Sequence, residues 1–189
     1  MSPLSATSVA ALSDAALAQY VEGDDFAWTQ LYAVHGQTAR SFLRRLGVPS
    51  ESLDDACQEV FLEVFRYLGR FRGESSFKTW LYRLCITQAR RFRRRRHVID
   101  TLGRLLSWEP PSYASSKSLD SDRAEQLVEG ALNQLNEGER LVFVLYELEG
   151  ASGSEIASVA ACPEATVWRR LHYARKKFTE YVRSCEDQS

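Results

Sequence analysis

Four cysteines occur in 189 residues, and no two of them form a C-x-x-C pair. The wide separation of Cys57, Cys85, Cys162 and Cys185 argues against both zinc-ligand spacing and a dithiol redox motif. Cys57 and Cys85 fall on apolar helix faces, where a reduced thiol packs as a small hydrophobe. Cys185, close to the tail, is expected at the surface. No apolar run approaches the roughly 20 residues needed to cross a bilayer, so membrane insertion is not expected. The opening MSPLSATSVAALSDAAL lacks a basic start followed by an apolar stretch, and no secretory signal is read there. A cytoplasmic chain with residues 1–12 flexible is the resulting expectation. Catalytic signatures are missing too: no G-x-x-x-x-G-K-[ST], no H-E-x-x-H and no G-x-S-x-G. His35, His97 and His172 are isolated, and helical spacing spreads the carboxylates at 51, 54, 55, 59 and 63 over an arc. Neither catalysis, a cofactor nor a metal is expected. Internal repeats are absent and strand patterning is poor throughout.

What the chain does have is segregated charge. The total is only −1. Residues 51–63 nevertheless hold Glu51, Asp54, Asp55, Glu59 and Glu63 and no base. Residues 66–97 hold eleven Lys or Arg against Glu74 alone, and six of the arginines lie between 90 and 96. Residues 120–149 return to acid, with eight carboxylates against Arg123 and Arg140. Residues 169–183 carry six bases against Glu180. Two basic blocks, each preceded by an acidic one, read as two modules that each meet a polyanion on one side. A near-neutral total does not exclude nucleic-acid binding when positive charge is concentrated.

Helical periodicity dominates. From Asp14 to Leu46 the apolar positions fit two helices broken near Glu22-Gly23-Asp24, with Gly47-Val48-Pro49 ending the second. Leu53, Ala56, Cys57, Val60, Phe61, Val64, Phe65 and Leu68 trace one continuous helical face. The GRFRGESS loop follows. Phe77, Trp80, Leu81, Leu84, Cys85 and Phe92 then mark the inner face of the helix that carries the arginines. Between 98 and 121 the pattern dissolves into adjacent prolines and clustered serines, which fits a flexible linker. Further helical segments come after it, the first over about 122–135. Asn136 with Glu139 three residues on is a capping signal for a helix reaching Gly150. Ser152 and Glu155 repeat that signal for a short helix to about Ala161. Pro163 suits the first position of a last helix that runs to about Ser184. The expected fold is all-α: two small helical domains, 13–97 and 122–185, joined by a linker over 98–121.

A short capped helix, a tight break at AACPE and a longer basic helix have helix-turn-helix spacing. At 100° per residue, Val167, Leu171, Ala174 and Phe178 share a narrow arc that must face a core. The opposite side carries Ala165, Thr166, Arg169, His172, Tyr173 and Lys176, the residue types that read base edges and phosphates. Arg170, Arg175 and Lys177 lie further round as phosphate contacts.

The segment LDDACQEVFLEVFRYLGRFRGESSFKTWLYRL with the arginine run behind it resembles region 2 of bacterial RNA polymerase sigma factors of the extracytoplasmic-function (ECF) subfamily. LAQYVEGDDFAWTQLYAVHGQTARSFLRRLG is similar to the start of that region. LNEGERLVFVLYELEGASGSEIASVAACPEATVWRRLHYARKKF is similar to region 4. The resemblance covers about residues 12–97 and 122–183. It implies an alternative sigma factor that binds core RNA polymerase, recognises the −35 and −10 promoter elements and promotes DNA melting. It also implies the partners: the polymerase β′ clamp helices and β flap, promoter DNA, and an anti-sigma factor.

By the same resemblance Asp55, Gln58, Glu59, Phe61 and Phe65 dock on the β′ coiled coil. The loop Phe71-Arg72-Gly73-Glu74-Ser75-Ser76 captures a flipped base of the −10 element, with Lys78 beside it. Trp80 either holds melted DNA or packs the core. Arg90, Arg91, Arg93 and Arg94 lie along the DNA backbone, which gives salt-dependent affinity and little sequence choice. Thr166, Arg169, Arg170, His172, Tyr173 and Lys176 contact the −35 element. The chain departs from the family pattern at Asn136, where a proline is common, and at Ala161 and Ala165, where glycine is frequent. Arg169 and Tyr173 also depart from it, on the DNA-facing side of the helix. The alternative is a helix-turn-helix regulator that binds operators without docking on polymerase; an acidic docking helix distinguishes the two.

Overall fold

The computed structural model describes residues 25–105 and 121–187, with side chains from 28 to 95 and from 123 to 187. Among the described residues all regular structure is helical. The chain divides into two compact units, each with its own core. The helix expected before residue 24, the break at Glu22-Gly23-Asp24 and most of the linker lie outside the described residues.

The first unit holds three helices: α1 (Asp25–Arg45), α2 (Leu53–Tyr67) and α3 (Phe77–Leu105). Gly47 ends α1 at φ +89, a left-handed position where a Cβ would be strained. The predicted face of α2 is buried through Leu53, Ala56, Cys57, Val60, Phe61, Val64 and Leu68. Against it and against each other, α1 and α3 set Leu31, Phe42, Leu43, Phe77 and Leu81, all essentially without solvent contact. Burial of this order stabilises by roughly 1.5–3 kcal/mol per large side chain. Stacking of Phe42 on Tyr82, with ring centroids 4.1 Å apart, fixes α1 to α3. The α3 helix runs on to Leu105, past the expected boundary at 97, because the stretch from 98 to 105 contains no proline to stop it.

The second unit holds α4 (Ser121–Asn133), α5 (Glu137–Phe143), α6 (Gly153–Ala160) and α7 (Glu164–Glu186). Both predicted capping boxes form. Asn136 accepts the Glu139 N–H at 3.0 Å while the Glu139 carboxylate accepts the Asn136 N–H at 3.0 Å. Ser152 and Glu155 reciprocate in the same way. Such caps contribute about 1 kcal/mol each. The helix begun at Asn136 does not stay α-helical to Gly150. It widens into a π-helical turn over Val144–Leu148, closed by the Glu149 N–H on the Val144 carbonyl at 3.1 Å. Leu141 to Leu145 are all buried, and after the wide turn Tyr146 and Glu147 emerge beside α7. Pro163 is the N-cap of α7 rather than its first helical residue; its carbonyl accepts the Thr166 N–H at 2.8 Å. The long α7 packs on α4, α5 and α6 through Val167, Leu171 and Ala174, with Phe178 stacked on Phe143. Gly130 of α4 leaves room for the Tyr181 ring, which would collide with any Cβ there.

Candidate polymerase and promoter surfaces

Helical geometry turns one side of α2 away from the core, and Asp55, Gln58 and Glu59 stand exposed on it. Phe65 joins them. It is 68% exposed and meets Trp28 in a T-shaped contact, at 5.3 Å between centroids. Periodicity had set Phe65 on the buried face; it lies at the margin of that face. Phe61 is the converse correction. At 4% exposure, under Tyr32 and Trp28, it is a core residue and offers a partner nothing. Leu62, 42% exposed beside Gln58 and Phe65, was missed by the sequence reading. Its position on the helical wheel, opposite Val60 and Val64, is the signal that finds it.

The 71–76 loop is anchored by Phe71, whose ring lies 6.0 Å from Phe77 and 5.4 Å from Trp80. Gly73 takes φ +69, so the chain turns outward where a side chain would be strained. Arg72 and Glu74 are exposed and Ser75 is half-buried. The Ser76 hydroxyl is committed to the start of α3: it accepts the Thr79 N–H at 3.1 Å and lies 2.8 Å from the Thr79 hydroxyl. That leaves Ser75 as the serine of the loop without a capping duty. Trp80 is half-buried among Phe71 and Phe77, so part of its ring packs the module. The Lys78 ammonium sits 5.5 Å over the Tyr82 ring.

Further along α3, Arg90, Arg91, Arg94 and Arg95 are exposed and Arg93 is half-buried. Arg91 turns toward α2, where Glu63 stands 3.7 Å away and also faces Arg66 at 3.5 Å. Arg90 and Arg94, one helical turn apart, form the outward row. Beneath them burial pushes the Cys57 and Cys85 thiols above the ordinary value of 9.0, so both are neutral core groups near pH 7. Cys185, expected at the surface, is half-buried.

On α7 the outward face carries Ala165, Arg169, His172, Tyr173 and Lys176, all exposed, with Thr166 at its edge. Tyr173 is 51% exposed with His172 edge-on at 5.6 Å. The flanking bases are placed differently from the phosphate contacts expected of them. Arg170 is half-buried against the backbone at Gly138, with one Nη 3.7 Å from the Cys162 sulfur. The Arg175 Nε donates to Glu147 at 2.6 Å, and its guanidinium lies over the Tyr146 ring. Lys177 donates to Glu139 at 2.7 Å. Desolvation alone would raise the Glu139 carboxyl, but the Lys177 ammonium and the Asn136 N–H outweigh it and hold the group below its ordinary value. Trp168, 44% exposed, was also missed. Its ring meets Tyr146 edge-on and covers Gly153, where any Cβ would collide with it. A glycine three residues before an isoleucine in a capped helix carries no local sign of such a contact.

Comparison with known proteins accounts for both units. Residues 31–98 match the model of Sigma-70 region 2, and residues 125–178 match that of Sigma-70, region 4. The ECF RNA polymerase sigma-E factor of Escherichia coli (strain K12) is 31% identical over 182 residues, covering 90% of this chain and 95% of the relative. The sigma-E factor of Haemophilus influenzae is 29% identical over 176 residues, covering 87% and 93%. Among solved structures, CnrH in complex with the cytosolic domain of CnrY is similar at TM-score 0.68 and 26% identity, over 92% of this chain and 99% of that one. The sigma factor RpoE from Bartonella quintana, solved with the anti-sigma factor NepR, shares the fold at TM-score 0.67 and 22% identity, over 82% and 96%. A regulator working apart from polymerase, the alternative left open by the sequence, accounts for region 4 and leaves region 2 without a use. An exposed acidic helix, a glycine-turned loop before a basic helix and a helix-turn-helix therefore stand here in the order of two sigma regions, and the chain belongs to the ECF family of RNA polymerase sigma factors.

Proposed function

We propose that the outward face of α2 is the surface by which this sigma factor docks on the clamp helices of the polymerase β′ subunit. One observation carries the reading: Asp55, Gln58 and Glu59 are exposed on a single helix side that also bears the solvent-facing Phe65 and Leu62. An acidic rim around apolar anchors is complementary to a basic coiled coil with apolar positions of its own. A DNA-binding regulator has no use for such a face. In the same reading the 71–76 loop takes up a base of the −10 element. Gly73 allows close approach, and Arg72, Glu74 and Ser75 offer polar groups to its edge. Lys78, Arg90, Arg91, Arg93 and Arg94 follow the backbone of the opening duplex, and Trp80 lies next to the unstacked bases. The α7 helix reads the −35 element through Thr166, Arg169, His172, Tyr173 and Lys176, with Arg170 beside them, and the region 4 unit meets the β flap.

The chain acts in this reading as a binding factor without catalysis of its own, in the cytoplasm and on the nucleoid. Residues 13–97 and 122–185 work as the two domains, tethered by the intervening segment. An anti-sigma factor is a further proposed partner, since CnrH is found in complex with the cytosolic domain of CnrY.

The test is reconstitution. The purified protein is added to sigma-free core polymerase with fragmented host DNA, and the 5′ ends of the transcripts are sequenced. Defined start sites that share two spaced elements support the reading. Transcripts no more frequent than with core alone, together with no binding to core, would overturn it.

A further inference from the structure

The bases of α7 fall into two classes that the amino-acid sequence does not separate. Arg169, His172 and Lys176 stand on the outward face, with Lys176 at the longer distance of 3.9 Å from the exposed Glu180 one turn on. On one flank Trp168 and Arg175, two helical turns apart, are both held by the π-helical turn: Trp168 against the Tyr146 ring, and Arg175 by the Glu147 carboxylate with Tyr146 beneath it. On the other flank Arg170 and Lys177, also two turns apart, are held at the start of α5. Arg170 lies against Gly138, and Lys177 donates to Glu139. A carboxylate 2.6–2.7 Å from each of two cations occupies the place a DNA phosphate would need. Each such cation enters the DNA complex with its charge already matched, so it releases no counterion from the duplex.

We infer that Glu139 and Glu147 tune the phosphate affinity of region 4: they withhold Lys177 and Arg175 from DNA phosphates and so lower sequence-independent affinity. Base-reading contacts from the outward face are untouched, so the loss falls alike on specific and non-specific duplexes. The inference rests on the reading of α7 as the −35 helix, and its test separates the two.

The full chain is titrated against a fluorescein-labelled duplex of unrelated sequence between about 50 and 200 mM salt, and the slope of log K against log salt is read. Glu147→Gln keeps the volume and an acceptor for the Arg175 Nε but removes the competing charge. It is expected to steepen the slope by about 0.9, which widens the affinity ratio between the two salt concentrations roughly threefold. In an Arg175→Ala background the same substitution is expected to change nothing. Arg175→Ala alone is expected to leave the slope as it was, because the cation was not in use. Unchanged or weaker binding by Glu147→Gln overturns the inference, and so does a gain that survives without Arg175. Arg169→Ala reports on the underlying reading. If it lowers the slope while Glu147→Gln does nothing, α7 meets DNA and the inference fails. If Arg169→Ala has no effect, the reading of α7 fails first. Glu139 is left in place, since its carboxylate also completes the α5 cap.

Discussion

The two units repeat one pattern of charge, an acidic stretch followed by a basic one, and put it to opposite uses. In the first unit Asp55 and Glu59 of α2 point outward and the arginines of α3 keep an exposed row at Arg90 and Arg94. In the second unit three acidic residues serve the unit itself. Glu139 and Glu155 close capping boxes, and Glu139 and Glu147 also take the flanking bases of α7. Exposed charge in the first unit suits a partner surface and a DNA backbone; flanking bases matched by carboxylates in the second leave a narrow reading face. A block count of Asp, Glu, Lys and Arg is blind to this difference. Direction is decided by which residues fall on the buried arc of each helix.

The sharpest way to break the comparison is to reverse the open acidic face. Asp55→Arg with Glu59→Arg places like charge against a basic partner, which costs several kcal/mol in an interface. Binding to core polymerase is expected to fall by about a hundredfold or more, with helical content and melting temperature unchanged, because both positions are exposed. Co-elution with core on gel filtration checks it. Undiminished binding would remove α2 from the interface.

Two neighbouring phenylalanines sharpen the same point. Phe61→Ala empties a buried site and is expected to cost about 3–5 kcal/mol of stability. Phe65→Ala should change stability by roughly 0.5 kcal/mol and weaken binding to core by roughly tenfold or more, as loss of an aromatic anchor does. Urea melts and core titration of the two variants give the contrast directly. Comparable destabilisation by both would show Phe65 to be a packing residue. The pair also shows what was legible in advance. A period of 3.6 identified the apolar face of α2, and both caps, at Asn136 and Ser152, were readable from residue types three apart. Which margin of that face is covered depends on how the other helices pack on it, and sequence spacing holds no record of that. The partners of Arg175 and Lys177 were hidden for the same reason, since Glu147 and Glu139 lie 28 and 38 residues away. Even the π-helical turn that delivers Tyr146 and Glu147 is absent from any local propensity.

Next in size is the reading face. Arg169→Ala removes an exposed guanidinium from the outward side of α7, where a good base contact is worth about 1–3 kcal/mol. Transcription from promoters with an intact −35 element is expected to drop about tenfold or more, while dependence on the −10 element stays. Unchanged promoter preference would exclude Arg169 as a reader.

The units should also fail at opposite ends of the pH scale. Glu139 and Glu155 are held below the ordinary carboxyl value of 4.5; the latter is held by the Ser152 N–H and hydroxyl. A lowered folded value stabilises above 4.5, and that contribution is lost as pH falls through the folded values. Burial raises the thiols of Cys57 and Cys85, so their contribution is complete below 9.0 and is lost as pH rises toward the folded values. Thermal melts across pH are expected to show Glu155→Gln flattening the acid limb alone and Cys85→Ala the alkaline limb alone. If either variant altered both limbs, or the other limb, the assignment of those groups would be wrong.

The smallest effect concerns how each unit turns its chain. Three left-handed positions are held by glycine, at Gly47, Gly73 and Gly150, which adopt positive φ without a Cβ penalty. The turn of the helix-turn-helix instead uses Ala161, at φ 50 and ψ 50, the one non-glycine residue with positive φ among those described. Its N–H returns to the Ala157 carbonyl, so the left-handed state completes the cap of α6 and sets the entry to α7. An L-residue there costs roughly 1–2 kcal/mol. Glycine would relieve that strain while adding freedom to the unfolded chain worth about 0.4–1 kcal/mol. Ala161→Gly is therefore expected to stabilise by about 0.5–1 kcal/mol net, read as a higher urea midpoint with unchanged slope. Promoter preference should not move, since Ala161 lies in the turn and off the outward face of α7. A loss of stability would mean that the alanine methyl contributes more to the turn than its backbone strain takes away.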